Sequence, residues 1–231
     1  MRYYFFDRYY GHDRVAQGPE LSKVKPGDFF EARGVGYVLC LGESVTWMEQ
    51  YTKFQEAQLG EVELIHYGSL FSEKALSILH WFTLHRFCVY KKAIPLRVGN
   101  VEELAKRQVR TKKKQAVDHE QQLLIYPHVW ALVNDPGLEG DDLTRKVLTS
   151  QTTKKQKAET YRAVQSWKIQ TIACTYSQMF LDRNNLSKVT VFHQHYGRYK
   201  NQQDPRYQAV EVVKKMAEVY GAELDVQGIA L

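Results

Sequence analysis

The chain has 231 residues, 44% of them hydrophobic and 13% aromatic, with a formal net charge of +6 and a pI near 9.0. That content supports real cores and excludes a disordered chain, and no apolar run approaches the roughly 18 residues of a membrane span. The positive balance favours an acidic partner, nucleic acid being the commonest, although a basic ribosome-associated or membrane-surface protein carries the same balance.

Residues 1–67 read as a small, mostly β unit with glycine punctuation. Its start, Met1-Arg2-Tyr3-Tyr4-Phe5-Phe6-Asp7, has neither the long apolar core nor the small-residue cleavage site of a signal peptide. Val24 to Ala32 is a Pro-Gly turn entering a strand, Gly34 to Gly42 a second strand, and Val62 to Tyr67 a later one. Cys40, Cys88 and Cys174 are isolated, form no CxxC pair and no zinc set, and read as reduced, buried thiols of a cytoplasmic protein.

In residues 68–98, Ser72 is placed to cap a helix carrying Leu76, Leu79, Trp81, Phe82 and His85, which ends near Phe87 to Tyr90 with Pro95 closing the segment. Residues 99–122 form a basic linker, helical by propensity from Glu102 to Gln122. It contains Lys106, Arg107, Arg110, Lys112, Lys113 and Lys114. Such a run is either a solvated helix face or a contact to backbone phosphates.

From residue 123 to 231 the pattern changes to alternating strands and helices. Leu123 to Tyr126, Lys146 to Ser150, Thr171 to Thr175, Leu186 to Phe192 and Ala222 to Val226 read as strands. Helices run from a cap at Thr152 through Trp167, and from Tyr207 to Tyr220 with Val210, Val213, Met216 and Ala217 on one face. Continuous apolar strands separated by helices imply an α/β fold with a parallel sheet covered on both faces. Ligands of such sheets sit at the carboxyl ends of the strands.

An ATP-driven α/β motor needs a glycine loop that wraps phosphate, with a lysine and a hydroxyl behind it, and strand-end carboxylates for magnesium. The chain contains no Gly-Lys dipeptide, and Gly99 is the only glycine between Pro95 and Leu123. Backbone amides cannot form a phosphate nest there without residues that tolerate positive φ.

A specific resemblance rests on several segments in order. Ile172-Ala173-Cys174-Thr175-Tyr176-Ser177-Gln178-Met179-Phe180 is followed by Asn185-Leu186, then by Tyr199-Lys200-Asn201-Gln202 and Pro205-Arg206-Tyr207. Together they resemble the PriA family of primosomal replication-restart helicases, with its TRSALF-type segment, DEEH box and YKQ…PRY aromatic-rich loop. Tyr126-Pro127-His128-Val129 stands at the family's VPEI. Ser150 and the helix through Trp167 stand at its HS…W segment, and Ile78 to Phe82 through Pro95 is similar to its winged-helix segment. The resemblance implies a parallel RecA-like lobe preceded by a small β-rich domain and a winged-helix-like helical segment.

Departures from the family fall on the ATP side. The DEEH box reads Phe192-His193-Gln194-His195, so the magnesium-holding Asp and the water-positioning Glu are absent, and Tyr176 replaces the arginine of TRS. The GSAT segment reads Gly228-Ile229-Ala230-Leu231, without its hydroxyls. Neither a second lobe nor the zinc-binding cysteine region is expected. The expectation is a degenerate, truncated first lobe with no ATPase or helicase activity of its own and no cofactor.

The loop after the box keeps its DNA-facing residues. Tyr199, Lys200, Arg206 and Tyr207 match the family's loop directly, Arg198 adds a cation, and Lys112 and Lys113 extend the basic surface. Aromatic rings there would stack on bases and the cations would meet phosphates. Alternatively, Tyr207 packs as the first turn of its helix and Arg206 pairs with Asp204. The partners expected are single-stranded or branched DNA and a replication helicase or primosome component, with no membrane.

Two other classes remain open. His193 and His195 share one face of a strand and could open a metal-dependent hydrolase site, though no carboxylates complete it at the strand ends read at Pro127, Ser150 and Thr175. A scaffold that binds a protein partner and no DNA is the third class.

Overall fold

The computed structural model describes residues 3–7, 13–17, 25–32, 36–43, 55–58, 64–69, 71–86, 120–140, 142–181, 183, 185–192, 200–201 and 207–228. Its first six strands are β1 (Tyr3–Asp7), β2 (Asp13–Gln17), β3 (Asp28–Ala32), β4 (Gly36–Glu43), β5 (Gln55–Gln58) and β6 (Leu64–Ser69). They form one sheet in the order β5-β2-β1-β4-β3-β6, antiparallel except where β2 meets β5. The Pro-Gly turn ahead of β3 is present. Gly27 has φ 90°, Asp28 N–H donates to Lys25 O at 3.0 Å, and Lys25 N–H donates to Asp28 Oδ2 at 2.9 Å. Strands β1, β2 and β5 were not legible, because Tyr3 to Phe6 is uniformly aromatic and Gln55 to Gln58 is nearly all polar.

Helix α1 (Glu73–Arg86) starts where Ser72 Oγ accepts from Ala75 N–H at 3.2 Å. Its Ala75, Leu76, Ile78, Leu79 and Phe82 are buried in the same core as the α/β lobe, so that core runs across the boundary expected near residue 98. Lys74 Nζ donates to Tyr220 O at 3.3 Å and sits over the Tyr220 ring, fastening α1 to the far end of the lobe.

The lobe contains β7 (Gln121–Tyr126), α2 (Val129–Val133), β8 (Arg145–Leu148), α3 (Lys154–Gln165), β9 (Thr171–Thr175) and β10 (Leu186–Val191). The short pair β11 (Lys200–Asn201) and β12 (Tyr207–Gln208) follows, then α4 (Ala209–Tyr220) and β13 (Glu223–Val226). Five strands form a wholly parallel sheet in the order β13-β10-β7-β9-β8, which makes the lobe α/β as expected. Several boundaries differ from the sequence expectation, two of them with a clear cause. Gln121 and Gln122 belong to β7, not to the end of a basic helix, and α3 is capped by Thr153, not Thr152. Gln121 is buried because its side chain donates to Val164 O and Ile169 O and accepts from Asn185 N–H, tying β7 to the end of α3 and the start of β10. Thr153 and Gln156 exchange side-chain and backbone hydrogen bonds as a capping box.

Strand order decides which face each crossover covers. Parallel crossovers are right-handed, so the direction of each step fixes its side. The steps β8 to β9 through α3 and β10 to β13 through α4 run the same way, and both helices lie on the face of Leu123, Ile125, Ile172, Cys174, Val189 and Val191. The step β7 to β8 runs the opposite way and carries α2 to the other face, against Leu124, Tyr126 and Ala173. Both faces therefore carry helices, but unequally: among the described residues the second face is covered by one five-residue helix and the turn at Leu138.

Candidate functional site

The last residue of β7 and the residue just after β10 meet at the carboxyl edge of the sheet. Phe192 N–H donates to Ile125 O at 2.9 Å, one step beyond the β7–β10 register, and this sets the Phe192 ring beside that of Tyr126. The two rings stack with centroids 4.5 Å apart and planes 19° from parallel. Tyr126 Oη donates a short hydrogen bond to Asp135 Oδ2, while Asp135 Oδ1 accepts from Gly137 N–H at 2.8 Å. Asp135 thereby caps the 3-10 turn Pro136–Leu138, with proline in the first position where no donor is needed. Burial, and then the Asp135 carboxylate, hold the Tyr126 phenol far above the usual tyrosine range, so Tyr126 stays a donor.

Tyr126, Trp130, Ala131, Asn134, Asp135, Pro136 and Phe192 line a cavity of about 290 Å³. Helix α2 builds one wall. His128 Nδ1 accepts from Ala131 N–H at 3.0 Å and starts the helix, Leu132 turns inward, and Trp130 stays 71% exposed at the rim. Asn134 Nδ2 donates to Trp130 O at 2.8 Å and closes the helix. The loop beyond is held by Arg145 at the start of β8. Its guanidinium donates to the carbonyls of Gly137, Leu138, Glu139 and Gly140 at 2.8 to 3.4 Å. A planar fork can satisfy several carbonyls at once, which a single ammonium cannot.

At the neighbouring strand end, Tyr176 opens a 3-10 turn after β9 and packs, half-buried, against the core. Thr175 Oγ1 and Ser177 Oγ lie 3.3 Å apart, Gln178 Nε2 donates to Ser177 Oγ at 3.4 Å, and the buried Lys157 donates to Gln178 Oε1 at 3.3 Å. Cys174, at the end of the same strand, is fully buried, and burial pushes its thiol up to about 12. Cys40 is buried too, whereas Cys88 lies outside the described residues.

Tyr207 requires a correction. It was named as a base-stacking residue, yet its ring is 3% exposed and meets Phe82 and Phe180 edge-on at 5.8 and 4.9 Å. A ring enclosed by two aromatic edges is a core anchor with no face left for a base, and burial raises its phenol accordingly. Its backbone pairs with β11 in the register Asn201↔Tyr207 and Lys200↔Gln208, so Lys200 stands on a hairpin fixed to the core at Tyr207. Of the other expected site residues, Phe192 is in the aromatic stack. Lys112, Lys113, His193, Gln194, His195, Arg198, Tyr199 and Arg206 lie outside the described residues.

Sequence reasoning missed Trp130, Asn134, Asp135 and Arg145. The signal for one of them was present: Asp135-Pro136-Gly137 is a capped-turn tripeptide between two strands. Among the described residues no three His, Cys, Asp or Glu side chains gather as a metal site, and no helix is long and apolar enough to cross a membrane. No protein-family model matches the chain, and no curated protein sequence matches it.

Proposed function

We propose that this chain binds single-stranded or branched DNA at the carboxyl edge of its parallel sheet, without an ATP-driven step of its own. The observation that carries the reading is the β11–β12 hairpin. Tyr207 anchors it in the core, Lys200 stands on its other strand, and Arg206 precedes Tyr207 in the sequence. A strand pair fixed to the core lowers the ordering cost of cations attached to it when they meet a polyanion. The resemblance to PriA-type helicases points the same way for Arg198, Tyr199, Lys200 and Arg206. The overall charge of +6 supplies the long-range attraction.

On this reading the ATP side has lost its chemistry. Phe192 occupies the position of the family's magnesium-binding Asp, and an aromatic side chain stacked on Tyr126 offers no oxygen to a cation. The protein would occupy or mark DNA beside an active replication helicase or primosome component. Fluorescence anisotropy with labelled forked and single-stranded DNA tests this. Binding is expected at low salt, weakened by Tyr199→Ala and by Arg206→Ala, with no ATP turnover in the presence or absence of DNA. Absence of binding at low salt overturns the reading.

A further inference from the structure

The cavity beside the aromatic stack has stacked rings on one side, an exposed indole on another and a carboxylate in its lining. Its floor is the Tyr126–Phe192 stack, locked through Asp135, and its outer wall is Trp130, which is 71% exposed. Trp130 sits on a helix held by His128 at one end and Asn134 at the other; its ring is tilted 44° against the His128 ring at 6.1 Å, and most of its surface stays in solvent. Its indole is a ready surface for a second planar ring. A volume of about 290 Å³ is at the small end of ligand pockets and suits a single flat heterocycle better than a folded peptide.

Polar groups in the chamber select among heterocycles. An ionised carboxylate has about four lone-pair sites. Asp135 uses one for Gly137 N–H and one for Tyr126 Oη, one on each oxygen. Each oxygen can therefore still accept one donor, and the two lie side by side. Guanine presents its ring N–H and its exocyclic amino group on one edge, matching a carboxylate with two parallel hydrogen bonds. Adenine and cytosine offer one amino group on that edge, and thymine a single ring N–H flanked by carbonyls that the carboxylate repels.

We infer that this cavity receives one unstacked base of single-stranded DNA, stacked against Trp130 and read by Asp135 in favour of guanine. The inference rests on the DNA-binding reading above and adds to it a subsite with a base preference, on residues that the expected loop does not contain. A basic chain supplies the attraction to phosphate that an acidic pocket alone lacks.

The test is anisotropy of fluorescein-labelled oligo-dT and alternating dG-dT strands of equal length, at one low salt concentration, on the full chain. The wild type should bind the dG-containing strand more tightly. Trp130→Ala should weaken both by about fivefold to 150-fold, the range that loss of one stacked base produces, and Trp130→Phe should restore most of it. Asp135→Asn should remove the difference between the two strands. Because Trp130 is exposed, its variants keep the fold, and an unchanged melting curve verifies this. Binding that is indifferent to Trp130→Ala, or a wild type with no preference for dG, overturns the subsite while leaving DNA binding intact. A wild type that binds neither strand overturns both.

Discussion

Tyr126 and Phe192 close the carboxyl edge of the sheet as one stacked pair, 4.5 Å between centroids, drawn from the ends of two hydrogen-bonded parallel strands. In an α/β sheet this edge is where ligands bind. Here it is occupied by two stacked rings, and the hydroxyl of one ring organises the loop above it through Asp135.

That organisation has a measurable cost when removed. Tyr126→Phe keeps the stack but withdraws the donor from a half-buried carboxylate. A loss of about 1–2 kcal/mol of unfolding free energy is expected in urea titration, below the upper end for charged hydrogen bonds because Asp135 is not fully buried. Tyr126→Ala also removes the ring and should cost about 3–5 kcal/mol.

Arg145 should matter locally more than globally. Arg145→Lys retains the charge but cannot reach four carbonyls in the residue 137–140 loop at once. Amide exchange at Leu138 and Glu139 is expected to quicken by roughly 5- to 30-fold, equivalent to about 1–2 kcal/mol of eased local opening. Exchange in the β7 and β9 amides should not change.

Tyr207 separates anchoring from binding. Tyr207→Ala empties a ring site between Phe82 and Phe180 and should destabilise the protein by about 3–5 kcal/mol. Tyr207→Phe preserves both edge contacts and should leave DNA affinity unchanged. A DNA contact through the Tyr207 hydroxyl would show instead as weakened binding by Tyr207→Phe with normal stability.

Cys174 gives a pH signature. Its thiol is raised from 9.0 to about 12 by burial, so the folded state holds the proton more tightly than the unfolded chain. The associated stability is fully present below pH 9.0 and is lost as pH rises through 12. Unfolding midpoints should fall over that window, and less so in Cys174→Ala. At pH 8 an alkylating reagent should label Cys174 only in denaturant, as mass spectrometry of the peptides would show.

How much of this was legible varies by element. Strand β9 was read at its true bounds, because Thr171 to Thr175 is a short apolar run set off by polar residues. Helix α4 began two residues later than read, since Tyr207 and Gln208 pair with β11 before the helix turns. Helix α2 has too few residues for any periodicity to register, so the chamber it forms was invisible. Sequence left Tyr207 between a base-stacking ring and a packed one; its burial comes from Phe82 and Phe180, which are distant in the chain. Unequal cover of the sheet depends on strand order, which local pattern does not carry.

The salt dependence of DNA binding tests the central claim most directly. Labelled single-stranded DNA should bind at low ionic strength with log K falling linearly against log salt. Replacing Lys112 and Lys113 by Gln should reduce that slope by about 1.4, from roughly 0.7 per cation released from a single strand. No association at low salt, or binding that is insensitive to salt, would contradict the claim that this chain holds DNA through its cations.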